Sequence, residues 1–193
     1  MNAEEFITFN KFQQPEIETI SIEIGDSNRP INPATLDPAV VSCLTQRLGD
    51  EYTAYYFYRN AANWCKNANY TKAAAYFEAE AKSELEHAQG IQDYLINWNQ
   101  QPSIPQVETS CGCTGLVSII NHAYKMEFAL FKAYSANQRE ILGDDPATFN
   151  FIQGYVNIQN ESVAEYSDLL NALRLINPDN KLDLLYFEQE YFG

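Results

Sequence analysis

Residues 70–98 read YTKAAAYFEAEAKSELEHAQGIQDYLINW, and within them Ala74, Phe77, Ala81, Glu84, Ala88, Ile91 and Leu95 recur at alternating spacings of three and four. That spacing puts all seven on one side of an α-helix. Six are apolar and one is a carboxylic acid. Three further stretches repeat the pattern. One carries Leu44, Leu48, Glu51, Tyr55, Tyr58, Ala62 and Cys65, and another Leu116, Ile120, Ala123, Glu127, Leu130, Tyr134, Asn137 and Ile141. The last has Phe149, Ile152, Val156, Gln159, Val163, Tyr166, Leu170 and Leu173. Stripping a carboxylate of water costs several kcal/mol unless something offsets its charge. A single polar interruption carries little weight. Four of them point to a shared cationic occupant buried between four helices, and a metal centre is the simplest one.

The connections order these helices. Helix A runs from about 38 to Lys66, and Asn67-Ala68-Asn69 turns the chain into helix B, which begins near Tyr70 or Thr71 and reaches about Trp98. So short a turn predicts antiparallel packing. Asn99 to about Gly112 has two prolines and no helical period. Extended chain covers about 3.3 Å per residue, so this stretch can run the length of a bundle. Helix C follows from about Thr114, a candidate N-cap, to Leu142. Gly143-Asp144-Asp145-Pro146 separates it from helix D, which extends to about Ile176, with Pro146 suited to a first helical turn. Asn177-Pro178-Asp179-Asn180 then precedes a short helix at about Leu182–Tyr191. The fold class is therefore all-α: two hairpins joined by a long B–C crossover into a four-helix bundle, with a short C-terminal fifth helix. Residues 1–36 read as an N-terminal extension or arm, strand-like at Ile20, Ile22 and Ile24, and residues 37–193 as the bundle domain.

At 193 residues the chain suits one domain with a real core. Its formal net charge of −14 argues against nucleic-acid or anionic-membrane partners and suits a protein that attracts cations. No apolar run approaches the roughly 20 residues needed to span a bilayer, and the acidic Met1-Asn2-Ala3-Glu4-Glu5 start leads into no signal-peptide core, so a cytoplasmic location is expected. Cys65, in an apolar stripe, is expected to be a buried free thiol. Cys111 and Cys113 complete no zinc pattern and are expected to be free thiols in a loop.

Glu84 and His87 form a Glu-x-x-His step that places both side chains about one turn apart on one helix face. A hard carboxylate with an imidazole is what non-haem iron accepts. Because helices A and B are antiparallel, Glu51 and Glu84 lie at about the same height, and Glu127 and Gln159 also fall near mid-bundle. A carboxylate bridging two metals would let so many acids coexist. Tyr58, two turns after Glu51, is placed to hydrogen-bond a ligand or to transfer an electron. Glu161 and Glu165 lie beside the helix D stripe and read as a solvated face, and His122 as structural.

Over residues 40–192 the chain resembles the bacterial non-haem ferritins. The resemblance is carried by Glu51-Tyr-Thr-Ala-Tyr-Tyr-Phe-Tyr58 with Trp64-Cys65, by Ala79-Glu-Ala-Lys-Ser-Glu84-Leu-Glu-His87 with Asp93-Tyr-Leu95, and by Tyr124-Lys-Met-Glu127, Tyr155-Val-Asn-Ile-Gln159 and Leu185-Tyr-Phe187. It implies a non-haem di-iron ferroxidase centre. Glu51, Glu84 and His87 correspond to its first iron site, Glu84 bridges to a second iron bound by Glu127, and Gln159 lies close by. Tyr58 corresponds to the adjacent tyrosine. The implied catalytic set is Glu51, Glu84, His87, Glu127 and Tyr58, oxidising Fe(II) with dioxygen or peroxide and storing ferric mineral in a homo-oligomeric shell, typically of 24 subunits. The chain departs from the pattern at Ser83, Ile158 and Ser162, where some relatives carry acids of a third iron site, leaving only Glu161. It also has Gly154 where relatives often have tryptophan.

Two other readings compete. A di-iron oxidase or peroxidase that stores no mineral usually supplies a second Glu-x-x-His, where this chain has Gln159-x-x-Ser162. A structural shell subunit with a vestigial site would have no need of Glu51, Glu84, His87 and Glu127 together. Miniferritins, with iron between subunits, would not need Glu127 in the core stripe.

Overall fold

The computed structural model describes residues 36–110 and 112–192. The expectation of an arm over residues 1–36, with its strand-like isoleucines, falls outside this range but for Leu36.

Five helices follow in order: α1 (Pro38–Asn67), α2 (Thr71–Asn97), α3 (Leu116–Ile141), α4 (Pro146–Leu173) and α5 (Lys181–Tyr191). The first four have 26 to 30 residues, about 40 Å each at 1.5 Å per residue. No helix among the described residues is long and apolar enough to cross a membrane.

The boundaries have local causes. Asp37 caps α1, accepting from Ala39 N at 2.7 Å with Pro38 in the first turn, and Asp145 caps α4 through Thr148 N at 3.0 Å with Pro146 behind it. Both α1 and α2 end by the same device. Asn69 (φ 64°) and Asn99 (φ 57°) take the left-handed conformation that asparagine tolerates best after glycine. The amides that follow then reach back, Tyr70 N to Cys65 O and Gln100 N to Leu95 O, each at 2.9 Å. Thr114 is not the cap expected of it. Gly115 holds the N-cap position of α3, with no side-chain cap, while Ser118 one turn in accepts from Thr114 N at 3.4 Å and donates to Gly115 O at 2.8 Å. Helix D ends at Leu173, short of the expected Ile176, in a turn whose Leu175 N bonds Ala172 O.

The apolar stripes fill one core, and the crossover lies along α1. Pro105 packs so closely on Gly49 that a Cβ there would sit 2.8 Å from the proline ring, and Asn60 Nδ2 donates to Thr109 O at 2.7 Å. Four residues of loop thus keep pace with eleven of helix, which requires nearly extended chain. Cys65 is a buried free thiol, as expected. Cys113 is not free: it is disulfide-bonded, which corrects the reading of that loop as bearing two thiols.

Helix α2 begins at Tyr70 without a side-chain cap of its own. Glu188 of α5, fully buried, takes that role, its Oε1 accepting from Lys72 N at 2.6 Å and Ala73 N at 3.1 Å. A carboxylate at a helix N-terminus satisfies orphan amides and meets the positive end of the dipole. The fifth helix is fastened to the bundle through this contact.

Candidate metal centre

All four polar interruptions are buried: Glu51 and Glu127 completely, Glu84 and Gln159 to within a few per cent. The structure brings Glu51 of α1 together with Glu84 and His87 of α2, one ligand atom from each lying within 4.8 Å of the others. His87 Nδ1 is 3.1 Å from Glu84 Oε2 and 3.6 Å from Glu51 Oε2. Bonds of about 2.1 Å at angles between octahedral and tetrahedral separate neighbouring ligands by about 3.0–3.4 Å. The imidazole nitrogen therefore already stands near the spacing from both carboxylates that one divalent cation would impose. Glu51 Oε2 is moreover buried with no hydrogen-bond partner. An orphaned carboxylate oxygen facing an imidazole and a second carboxylate is the donor set a hard or borderline cation accepts.

Glu127 and Gln159 form the neighbouring pair. The Gln159 amide nitrogen donates to Glu127 Oε2 at 2.7 Å and to the Glu127 main-chain carbonyl at 3.2 Å, an orientation fixed by surroundings that offer only acceptors.

Two tyrosines tie the halves together in reciprocal fashion. Tyr58 of α1 donates to Glu127 Oε1 of α3, and Tyr134 of α3 donates to Glu51 Oε1 of α1. Each tyrosine stands seven residues after the glutamate of its own helix. In an antiparallel pair, equal offsets of two turns set each phenol opposite the other helix's acid. Tyr58 was read from the sequence; Tyr134 was in the stripe without being singled out, although its offset from Glu127 repeats that of Tyr58 from Glu51.

The sequence reading gave two more residues no role at the site. Tyr155 of α4 donates to His87 O at 2.8 Å, and Gly90 makes room for it, since a Cβ there would come within 2.8 Å of the Tyr155 hydroxyl. Arg47, one turn before Glu51 and nearly buried, lies 5.9 Å above the Tyr134 ring while bonding Asn137 Oδ1 and Asp50 Oδ2, each at 2.7 Å. Glu161 is exposed, and so is Glu165, although Glu165 accepts from Tyr76 at 2.7 Å. His122 is exposed and stacks on Phe57 at 4.5 Å, away from the centre.

The electrostatics match a site built for positive charge. Burial, then the charge of Glu51, drives the Glu84 carboxyl well above the ordinary range, and burial pushes Glu127 up to about 7 against the opposing bond from Tyr58. Glu51 feels burial most, yet the close approach of His87 and Glu84 and the hydrogen bond from Tyr134 outweigh it and hold its carboxyl low. His87 is raised, because the nearby Glu51 carboxylate and the other surrounding acids overcome its own burial. Negative charge crowded at this height favours whatever positive charge can reach it, a proton or a cation.

The family model for the ferritin-like domain matches residues 42–176. A bacterial non-haem ferritin of Escherichia coli O6:H1 is 27% identical over 142 residues, covering 72% of this chain and 86% of its own length. One of Campylobacter jejuni is 25% identical over 158 residues, covering 81% and 93%. Among solved structures, an open-pore ferritin of Archaeoglobus fulgidus superposes with a TM-score of 0.76 at 24% identity, covering 82% of this chain and 98% of that one. A Chlorobium tepidum ferritin gives 0.72 at 25% identity, covering 81% and 96%.

Proposed function

The chain belongs to the ferritin family, and from that premise we propose that it is an iron-storage ferritin whose subunit oxidises Fe(II) at an internal two-iron centre. The observation that carries this reading is the convergence of Glu51, Glu84 and His87 around the unpartnered Glu51 Oε2. Iron is the substrate. A first Fe(II) takes Glu51, Glu84 and His87; a second takes Glu127, with Glu84 shared between them and Gln159 alongside. Binding expels the proton that Glu84 holds in the empty site, so uptake releases protons. Two Fe(II) give two electrons to dioxygen, which with two protons becomes hydrogen peroxide, and the Fe(III) formed moves on to mineral. Tyr58 and Tyr134 hold the outer oxygens of Glu127 and Glu51, so the two carboxylates meet incoming iron already oriented. Ferric mineral needs an enclosed space, which a homo-oligomeric shell, of 24 subunits by resemblance, would supply.

Anaerobic Fe(II) titration of the iron-free protein, then exposure to air with ferric-oxo absorbance and particle mass followed together, tests the proposal. Fast oxidation of about two Fe(II) per chain, then uptake far beyond that in a large particle, is the expected result. Oxidation that stops at about two per chain in a small species would make it a non-storing di-iron oxidase. The absence of a fast phase would leave a structural subunit.

A further inference from the structure

Among the described residues Arg47 is the only arginine or lysine buried in the core. It stands one turn before Glu51 on α1, and both arms of its fork are held. Nη1 donates to Asn137 Oδ1 of α3 at 2.7 Å, and Nη2 pairs with Asp50 Oδ2 at 2.7 Å. Its Nε, however, is buried with no partner. Buried donors are nearly always satisfied, so an orphan marks a group kept in place for another reason. What the guanidinium covers supplies that reason. Its carbon lies 5.9 Å from the centre of the Tyr134 ring, and the Tyr134 hydroxyl donates to Glu51 Oε1. The other oxygen of that carboxylate, Oε2, is the one left unpartnered, 3.6 Å from His87 Nδ1.

A cation over a phenol ring draws electron density toward itself and makes the O–H a stronger donor. The Tyr134 ring is braced for this by stacking on Tyr155, with centroids 5.0 Å apart and planes within 18°. Its counterpart lacks such backing. Tyr58, which donates to Glu127, stacks on Phe77 and Tyr166, each at 6.1 Å, and among the described residues no arginine or lysine lies over it. The two halves of the centre, alike in glutamate and tyrosine, therefore differ in one charge. That charge does little to repel an incoming metal ion, because the Asp50 carboxylate beside it cancels most of its field at longer range.

We propose that Arg47 is a positioning residue of the first iron site: through Tyr134 it fixes Glu51 with Oε2 toward His87, and so makes this site the one that fills first. The proposal rests on the two-iron reading of the centre. Without the guanidinium, the phenol holds Glu51 less firmly, the carboxylate turns more freely, and a metal ion must order it on binding. Glu127, held by Tyr58, keeps its orientation. A guanidinium that only tied α1 to α3 through Asn137 would instead affect both sites alike, and Tyr134 would have no part in its effect.

The test titrates Co(II), which reports each binding step by its d–d absorption, into the full-length iron-free protein and its variants. The wild type is expected to bind about two Co(II) per chain in two resolved steps. Arg47→Met keeps the stem and removes the guanidinium; it should weaken the first step about ten-fold and leave the second nearly unchanged. Tyr134→Phe should do the same. The double variant should then bind no more weakly than either single one, because both act on one hydrogen bond. Asn137→Ala, which frees only one arm of the fork, should give a smaller loss at the same step, and it carries the test if Arg47→Met does not fold. A first step as tight as the wild type's in the Arg47 and Asn137 variants overturns the proposal. So do equal losses at both steps, additive losses in the double variant, or a wild type whose two steps have equal affinity. A wild type that takes up no Co(II), or whose uptake is unchanged by Glu51→Ala, overturns the metal-centre reading itself, and those two measurements tell that failure from the others.

Discussion

Glu84 is the residue on which the centre turns. It shares space with Glu51 in a site where burial disfavours charge, so its carboxyl is driven well above the ordinary range and the iron-free protein bears the cost of crowding. Glu84→Ala removes that crowding together with the ligand that the proposed centre would share between its two ions. Rapid Fe(II) oxidation should vanish in stopped-flow absorbance. Meanwhile the iron-free variant should unfold at the wild-type temperature or higher, a gain of about 1–2 kcal/mol from relief of repulsion set against a small cavity. Oxidation at the wild-type rate would remove Glu84 from the centre. At this scale the sequence was readable wherever a polar group broke an apolar stripe, because period and polarity together marked Glu51, Glu84, Glu127 and Gln159. It was not readable where the functional group is itself at home in a core. Tyr134 looks like packing, Tyr155 lies beside the stripe, and Arg47 is one turn off it. Only a partner from another helix gives each of these a role.

Helix ends were legible to within a residue or three because asparagine, aspartate and proline act locally. What no local rule could supply was the cap of α2. Its amides are satisfied by Glu188, more than a hundred residues away in sequence. The same distance in sequence hid the Pro105 contact that makes Gly49 necessary. Glu188→Ala should therefore cost more than a surface substitution, about 1–3 kcal/mol, since buried amides lose a charged acceptor. Because Lys72 Nζ also donates to Gln189 O at 2.8 Å, α5 should loosen as a unit. Amide hydrogen exchange over residues 181–192 would rise first, along with the first turn of α2, while mid-bundle amides stay protected. Uniform loss of protection across all helices would show instead that α5 is part of the cooperative core.

The whole molecule carries an excess of negative charge, formally −14, and holds two further carboxyls, Glu127 buried and Glu80 half-buried, that are poorly placed to ionise. Burial pushes Glu127 to about 7, and burial with the nearby charge of Glu165 pushes Glu80 to about 7. Unfolded, both would titrate near 4.5. A folded value above the unfolded one means the folded state binds protons more tightly. Its contribution to stability is complete below the unfolded value and is lost as pH rises through the folded one. The iron-free protein should therefore gain stability, by an amount on the order of a few kcal/mol, as pH falls from about 8 to about 5. Glu51, held low in the fold, acts in the opposite direction only at pH below its unfolded range. Relief of surface repulsion on acidification has the same sign, but salt distinguishes the two. Screening at high ionic strength flattens the surface term and leaves buried carboxyls nearly untouched. Thermal unfolding across this range should keep most of its slope in high salt, and Glu80→Gln, which fixes that group in its neutral form, should make the slope shallower without abolishing it, because Glu127 and Glu84 still contribute. A slope that disappears in salt would assign the effect to the surface and show that the interior carboxyls ionise without penalty.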